Sequence, residues 1–254
     1  MKLCVLASGS KGNSTYIASI KGKILIDIGM SCLYIEKALN NINIRPREID
    51  GILITHTHSD HINGLRVFLK KYHTILYITD KIYQELKSQV DIENYQIIDK
   101  RFTLNDIEIE IFKTSHDAED SNGYIISDST SSIAYITDTG YINRRYHEKL
   151  KNKDYYIIES NHDVELLMNG PYPYHLKQRI LGDRGHLSNK SCADYMLKFI
   201  GEKTKGVVLI HLSEQNNQKE LAYSTLFTTL EQNHKMIENI IISTQEEPTE
   251  LIEI

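Results

Sequence analysis

The segment Gly51–His61 constrains this chain more than any other: an apolar run, residues 51–55, leads straight into His56-Thr57-His58-Ser59-Asp60-His61. Three histidines and a carboxylate fall within six residues. The apolar run reads as a buried strand. In an extended segment alternate residues share a face, so His56, His58 and Asp60 are expected to point one way. His61 then opens the next helix and approaches from another side. Imidazole nitrogens and a carboxylate oxygen suit Zn²⁺, Mn²⁺ or Fe. The rival reading is a polar loop that is rich in histidine by chance. The alternation, directly after an apolar strand, argues against it.

The remaining pattern is layered. Residues 2–7, 15–19 and 24–27 read as short strands punctuated by Gly9, Gly12 and Gly22. Helical spacing marks residues 32–40 and 62–71, and Asp80 is the expected N-cap of a helix after the strand 76–78. Ile107, Ile109 and Ile111 alternate with Glu108 and Glu110, as in a half-buried strand. Further strands are expected at 123–127, 132–137, 155–158, 207–210 and 236–242, and helices near 173–181, 188–200 and 217–231. Residues 149–153 read as a solvated helix end. The acidic tail (Glu246, Glu247, Glu250, Glu253) alternates with apolar residues and reads as an edge strand or a frayed terminus. Strand runs flanked by helices fit an α/β sandwich of layers.

Hydrophobic residues make up 41% of the 254 and charged residues 25%, which excludes a disordered chain. No run approaches the ~18 apolar residues of a membrane span. The first apolar run is too short for a signal peptide, so the cytoplasm is the expected location. Cys4, Cys32 and Cys192 have no C-x-x-C spacing and read as free thiols. Without a linker, repeat or composition break, residues 1–254 read as one domain.

The H-x-H-x-D-H string is the signature of the metallo-β-lactamase superfamily, which the sequence resembles along nearly its whole length. The resemblance implies a four-layer αββα sandwich with a dinuclear metal site at one edge of the two sheets. It also implies the other ligands, each at the end of an apolar run. Asp27 follows Ile24-Leu25-Ile26, and His116 follows Lys113-Thr114-Ser115. Asp138 follows Tyr135-Ile136-Thr137, and His211 follows Val207-Val208-Leu209-Ile210. On that likeness His56, His58 and His116 hold one divalent ion. Asp60, His61 and His211 hold a second, and Asp138 bridges the two. Asp27 orients ligands by hydrogen bonds. The donor set accepts Zn²⁺ or Mn²⁺. A histidine at position 58, where redox di-iron members carry a carboxylate, points to hydrolysis.

Motifs spanning residues 7–217 narrow the likeness. They include Ser8-Gly9-Ser10-Lys11-Gly12-Asn13, Glu159-Ser160-Asn161-His162-Asp163, Asn169-Gly170-Pro171-Tyr172-Pro173 and Arg184-Gly185-His186-Leu187-Ser188-Asn189. Together they resemble the WalJ/YycJ (VicX) branch, whose members sit alongside cell-wall two-component regulators and are similar to DNA exonucleases acting from the 5′ end. The likeness implies a metal-bridging hydroxide as nucleophile, with Asp60 among the catalytic residues. In β-CASP nucleases an acidic residue, a Ser-Gly-His-type turn and a last metal-binding histidine occur in the order of Glu159, His186 and His211 here. That analogy makes His186 the general acid and Glu159 its orienting partner. Only 73 positions separate Asp138 from His211, too few for a β-CASP insertion. No extended arm of the kind that grips tRNA is evident either, and both absences weaken an RNA-maturation reading.

The net charge of −5 counts mildly against a nucleic-acid substrate. Locally the balance reverses. Residues 171–190 carry Lys177, Arg179, Arg184 and Lys190 against Asp183 alone, with Tyr172, Tyr174, His175 and His186 interleaved. Cations neutralise phosphates and tyrosines stack on bases. Ser188 is a good helix N-cap whose neighbouring N–H groups could receive a phosphate oxygen. Lys177, Arg179, Arg184, Ser188 and Asn189 are therefore the candidate substrate contacts, and DNA is favoured over RNA. The expected activity is a metal-dependent 5′-to-3′ exodeoxyribonuclease. The rivals are a small-molecule hydrolase of the same fold, acting on a thioester, lactone or cyclic phosphodiester, and a non-catalytic regulator. Of the other histidines, His162 and His175 lie inside the family-like motifs.

Overall fold

The computed structural model describes residues 1–245 and 247–254; Glu246 of the acidic tail lies outside them. The first sheet runs in order through β1 (Lys2–Ala7), β2 (Ser14–Ala18), β3 (Lys23–Ile26), β4 (Gly51–Leu53), β5 (Ile75–Ile78) and β6 (Tyr95–Ile97). The second runs through β7 (Arg101–Leu104), β8 (Ile107–Lys113), β9 (Asn122–Ser127), β10 (Ser132–Ile136), β11 (Tyr155–Glu159), β12 (Gly206–Ile210) and β13 (Asn239–Ile242). The acidic tail contributes β14 (Ile252–Glu253), an edge strand antiparallel to β1.

Both sheets repeat one pairing scheme. Antiparallel strands come first, β1–β3 and β7–β10, and parallel ones follow, β3–β6 and β10–β13. No sequence repeat betrays this, because the scheme rests on hydrophobic patterning and not on identity. Parallel neighbours need crossovers, and here the crossovers hold the helices. In the first half these are α1 (Cys32–Asn41), α2 (Ser59–Ile62), α3 (Leu65–Tyr72) and α4 (Asp80–Leu86). In the second they are α5 (His147–Leu150), α6 (Val164–Asn169), α7 (Tyr174–Leu181), α8 (Asn189–Phe199) and α9 (Lys219–Gln232).

Strand alternation sorts side chains into layers. On β1, Leu3 and Val5 join Ile107, Ile109 and Ile126 between the sheets, while Cys4 and Leu6 face outward to Ile35, Leu39 and Phe68 of the helices. Behind the second sheet, Tyr156, Ile158 and Val207 pack on Met196, Phe199 and Leu226 of α8 and α9. The result is an αββα sandwich, the architecture the resemblance implies. All three cysteines are free and buried. Among the described residues no helix is long and apolar enough to cross a membrane.

Local differences from the sequence expectations have steric causes. The helix expected over 62–71 is broken between α2 and α3, because the 28–30 segment crosses there. Gly64 N donates to Ile28 O at 2.8 Å, and a Cβ on Gly64 would lie 2.0 Å from Met30 O. Thr79, not Asp80, caps α4, its hydroxyl accepting from Ile82 N. The last parallel strand starts at Asn239 and not at 236. β6, β7 and α6 lacked a readable signal; β6 is a three-residue edge strand with every residue exposed.

Candidate metal centre

Strand ends converge on one edge of the sandwich. Asp27 and His211 follow a strand directly and Asp138 comes one residue later, after Thr137; each adopts a left-handed backbone, with φ of 62°, 57° and 47°. That region is unfavourable for residues with a Cβ. Here it turns the side chain away from the sheet's own alternation. His56 and His58 lie on the extended segment after β4. Asp60 and His61 sit in α2, so the shared face expected of His56, His58 and Asp60 extends only over the two histidines.

The seven expected ligands come together. Donor atoms of His56, His58 and His116 lie within 4.8 Å of one another, as do those of Asp60, His61 and His211. Asp138 stands between the sets, its carboxylate 3.2 Å from His61 Nε2, 3.7 Å from His116 Nε2 and 3.4 Å from His211 Nδ1.

Hydrogen bonds set which nitrogen faces the centre. His61 Nδ1 donates to Asp27 Oδ2 at 2.8 Å, and Asp27 in turn accepts from the N–H and hydroxyl of Thr55. His56 Nδ1 is 3.1 Å from the same hydroxyl, and His116 Nδ1 faces Gly185 O at 3.2 Å. His211 Nδ1 is held by Glu159 Oε1 at 2.9 Å. His56 Nε2 is shielded from solvent and has no hydrogen-bond partner among the described residues. A buried donor or acceptor left so is costly unless something else binds it. With five imidazoles and two carboxylates around that orphan, the site fits divalent metal ions.

Charge is distributed accordingly. Burial, helped by neighbouring His61, holds His56 well below the usual imidazole range. For His61 and His211 burial also works downward, but Asp138 and the surrounding carboxylates outweigh it and push both well upward. Burial likewise raises Glu159, yet the adjoining His186 charge and hydrogen bonds from His186 and His211 bring it down to about 2. Glu159 is fully buried at the end of β11. Its Oε1 faces His186 Nδ1 at 2.6 Å, and its Oε2 accepts from Thr139 N and Leu187 N, both at 3.1 Å. It therefore orients two histidines, not only the one expected. His186 Nδ1 also lies 3.6 Å from Asp138 Oδ1, within the same cluster.

A cavity of about 330 Å³ opens over these atoms. Tyr172, Leu176 and Ile180 give it an apolar wall, and Arg179, Arg184 and His186 line it too. The other proposed substrate contacts are placed differently. Lys177 Nζ donates to the carbonyls of Met168 and Gly170 at 2.6 and 2.8 Å. The Ser188 hydroxyl caps α8 by accepting from Ser191 N at 3.1 Å. Asn189 is buried, exchanging hydrogen bonds with Ser160 and Asn217. Arg179 Nε pairs with Asp117 at 2.5 Å, Arg184 Nε donates to His116 O at 3.1 Å, and Lys190 pairs with Asp194. Much of the local cationic surplus thus has an internal partner. His162 is buried behind the site, where burial lowers it to about 4, and His175 is exposed.

Three supporting residues carry no signal of their own in the sequence. Asn13 Nδ2 donates to Asp60 Oδ2 at 3.1 Å, and Ser8 Oγ accepts from His211 N at 2.7 Å. Both belong to the glycine-punctuated motif at 8–13, which was the only pointer to them. The third is Asp117, next to His116, which no motif marks.

The family model described as Beta-lactamase superfamily domain matches residues 23–212. The chain is 44% identical over 238 residues to the exodeoxyribonuclease WalJ of Streptococcus pneumoniae, covering 91% of this chain and 88% of that one. It is 38% identical over 233 residues to the exodeoxyribonuclease YycJ of Bacillus anthracis, covering 90% and 88%. This chain belongs to the WalJ/YycJ branch of the metallo-β-lactamase superfamily. Solved structures repeat the superfamily fold at low identity. The metallo-β-lactamase fold protein YhfI of Bacillus subtilis superposes with a TM-score of 0.74 at 15% identity, over 98% of this chain and 99% of that one. Zn²⁺-bound PqqB of Methylobacterium extorquens gives 0.71 at 14%, over 98% and 100%. Glu159 and His186 adjoin the cluster of expected ligands.

Proposed function

We propose that this chain is a metal-dependent exodeoxyribonuclease that removes nucleotides from the 5′ end of DNA. The observation that carries the reading is the pairing of buried Glu159 with half-buried His186, 2.6 Å apart at the rim of the seven-residue cluster, in a chain 44% identical to an exodeoxyribonuclease. Two divalent ions, Zn²⁺ or Mn²⁺, would be held by His56, His58 and His116, and by Asp60, His61 and His211, with Asp138 shared. Such ions supply an activated water and neutralise charge on a phosphodiester.

The chain's own groups do the rest. Glu159 fixes His186 Nδ1, leaving Nε2 as the proton donor to the departing sugar oxygen. Burial alone would lower His186, but the Glu159 charge and hydrogen bond outweigh it and favour the imidazolium. Arg179 and Arg184 attract the backbone phosphates, and Tyr172, Leu176 and Ile180 offer apolar surface to a terminal base or sugar. Lys177, Ser188 and Asn189 have their polar atoms taken up internally and lie outside the cavity lining, so the reading rests on the two arginines. The chain acts in the cytoplasm as one domain, 1–254.

The test uses metal-free protein reloaded separately with Mn²⁺ and Zn²⁺, on end-labelled duplex and single-stranded DNA and RNA, with Asp138→Ala as control. Stepwise release of nucleotides from the 5′ end of DNA by wild type alone is the expected result. No cleavage with either metal would refute the reading and favour a small-molecule substrate.

A further inference from the structure

We propose that Asp117 is a positioning residue of the metal centre, aligning the His58 ring through Nε2 while being fixed in turn by Arg179. The inference rests on the metal-centre reading above.

Four of the ligand histidines have one ring nitrogen held by a protein oxygen: His56 by Thr55, His61 by Asp27, His116 by Gly185 and His211 by Glu159. Such partners fix the tautomer and orientation of a metal-binding imidazole. His58 is the exception. Its Nδ1 faces His116 Nε2 at 3.2 Å, on the side where the ligand atoms meet. Among the described residues its Nε2 faces one carboxylate, Asp117 Oδ1, at 3.8 Å. That is an ion-pair contact rather than a hydrogen bond.

Two observations single Asp117 out. Its Oδ1 is shielded from solvent and accepts no hydrogen bond among the described residues. It lies 3.3 Å from His116 Nε2 yet is not among the mutually close donor atoms of His56, His58 and His116. The first makes it an acceptor in need of a partner. The second argues for orienting a ligand and against being one. The other oxygen, Oδ2, is engaged by Arg179 Nε at 2.5 Å.

Arg179 belongs to α7, a helix with no buried residue, which forms one wall of the cavity. Arg184 Nε, just beyond it, holds the backbone carbonyl of His116. The cationic segment thus grips the 116–117 dipeptide at two points. Arg179 acts on the metal site through Asp117, whatever else it does for substrate.

The experiment reads metal binding, not turnover. Wild type, Asp117→Asn, Arg179→Gln, the double variant and a distant control, Asp194→Asn, are titrated with Co²⁺ while the d–d absorption is followed. Zn²⁺ competition and the thermal midpoint of the metal-free protein are measured alongside. Asp117→Asn should weaken one bound ion by roughly 10–100-fold and shift its bands, leaving the metal-free midpoint unchanged. Arg179→Gln should weaken the same ion less. The double variant should be no weaker than Asp117→Asn alone, since both act through one contact. Wild-type affinity and spectra in both single variants would overturn the inference. If Asp117→Asn fails to fold, Arg179→Gln decides: an unchanged spectrum and affinity overturn the inference, a shifted spectrum supports it. A wild-type protein that takes up no metal would refute the metal-centre reading, and the inference with it.

Discussion

Replacing His186 by Ala removes one ring at the cavity rim and leaves every expected metal ligand in place. If His186 is the general acid, the loss should depend on how much the leaving oxygen needs a proton. A deoxyribose oxygen is a poor leaving group, and a positioned acid is worth about 10²–10⁴-fold in rate. That is roughly 3–5 kcal/mol of barrier. In bis(p-nitrophenyl) phosphate the p-nitrophenolate departs unprotonated, so the same variant should stay within about fivefold of wild type. Glu159→Gln tests the other half of the pair. Its carboxylate bonds both His186 and His211. It should therefore match His186→Ala on DNA at saturating metal and also weaken metal binding by roughly 10–100-fold. Steady-state kcat on both substrates, with bound metal measured on the same samples, gives the comparison. Equal losses on the two substrates, or loss of metal from His186→Ala, would refute the general-acid assignment.

Metal uptake should compete with protons. His61 and His211 are held well above the usual imidazole range in the metal-free site, so below those raised values the ion shared by Asp60, His61 and His211 must displace their protons. Apparent affinity should rise with pH by about tenfold per unit for each proton displaced, and flatten once pH passes the raised values; uptake that is flat between pH 6 and 8, followed by calorimetry, would contradict this. Gly29→Ala should be disruptive, because the added Cβ would lie 1.7 Å from Asp60 O and 2.5 Å from Asn13 N. Overpacking on backbone costs about 3 kcal/mol or more, which corresponds to roughly 6–12 °C in Tm at this size. Gly182→Ala, with 3.2 Å to its nearest neighbour, should shift Tm little by calorimetry. Arg184→Ala should reduce the log–log salt slope of DNA binding by about 1, whereas Lys177→Met, whose ammonium caps two carbonyls, should leave it unchanged; fluorescence anisotropy across salt concentrations separates the two.

The residues that converge at the sandwich edge were legible because chemistry and pattern coincide at them. His56, Asp138 and His211 each interrupt an apolar run with a residue a buried strand would not otherwise end on. The sandwich was legible for the same reason, since alternation such as Ile107–Glu108–Ile109 fixes which face is buried. What stayed hidden depends on contacts between distant segments. Nothing near Lys177 in sequence foretells that its ammonium closes on the Met168 and Gly170 carbonyls. Nothing near Arg179 foretells a carboxylate 62 positions away. The cationic count over 171–190 was right as arithmetic and incomplete as electrostatics, because it could not subtract internal partners. The break at Gly64 is of this kind too. Helical periodicity continues through it, and only the crossing 28–30 segment stops the helix.

The left-handed turns at Asp27, Asp138 and His211 show why the site needs both sheets. A strand delivers side chains alternately to its two faces, and neither face points along the strand toward the sandwich edge. One residue in the left-handed region redirects the chain there, at a cost of about 1–2 kcal/mol for a residue with a Cβ. Glycine would remove that cost and the ligand with it. The strain therefore has to be matched locally, and each position shows how. Asp27 accepts from Thr55 N, Thr55 Oγ1 and His61 Nδ1. His211 is fixed by Ser8 Oγ at its backbone and by Glu159 at its ring. Asp138 accepts from Thr137 Oγ1 and stands among four histidines. Ser8 and Thr55 come from the first sheet, Glu159 and Thr137 from the second. Asp27 is held from its own half by Thr55 and His61, but His211 takes Ser8 from the opposite half and Asp138 faces His61 there, so at these two turns the second sheet's strand ends are held by partners that a single sheet could not supply.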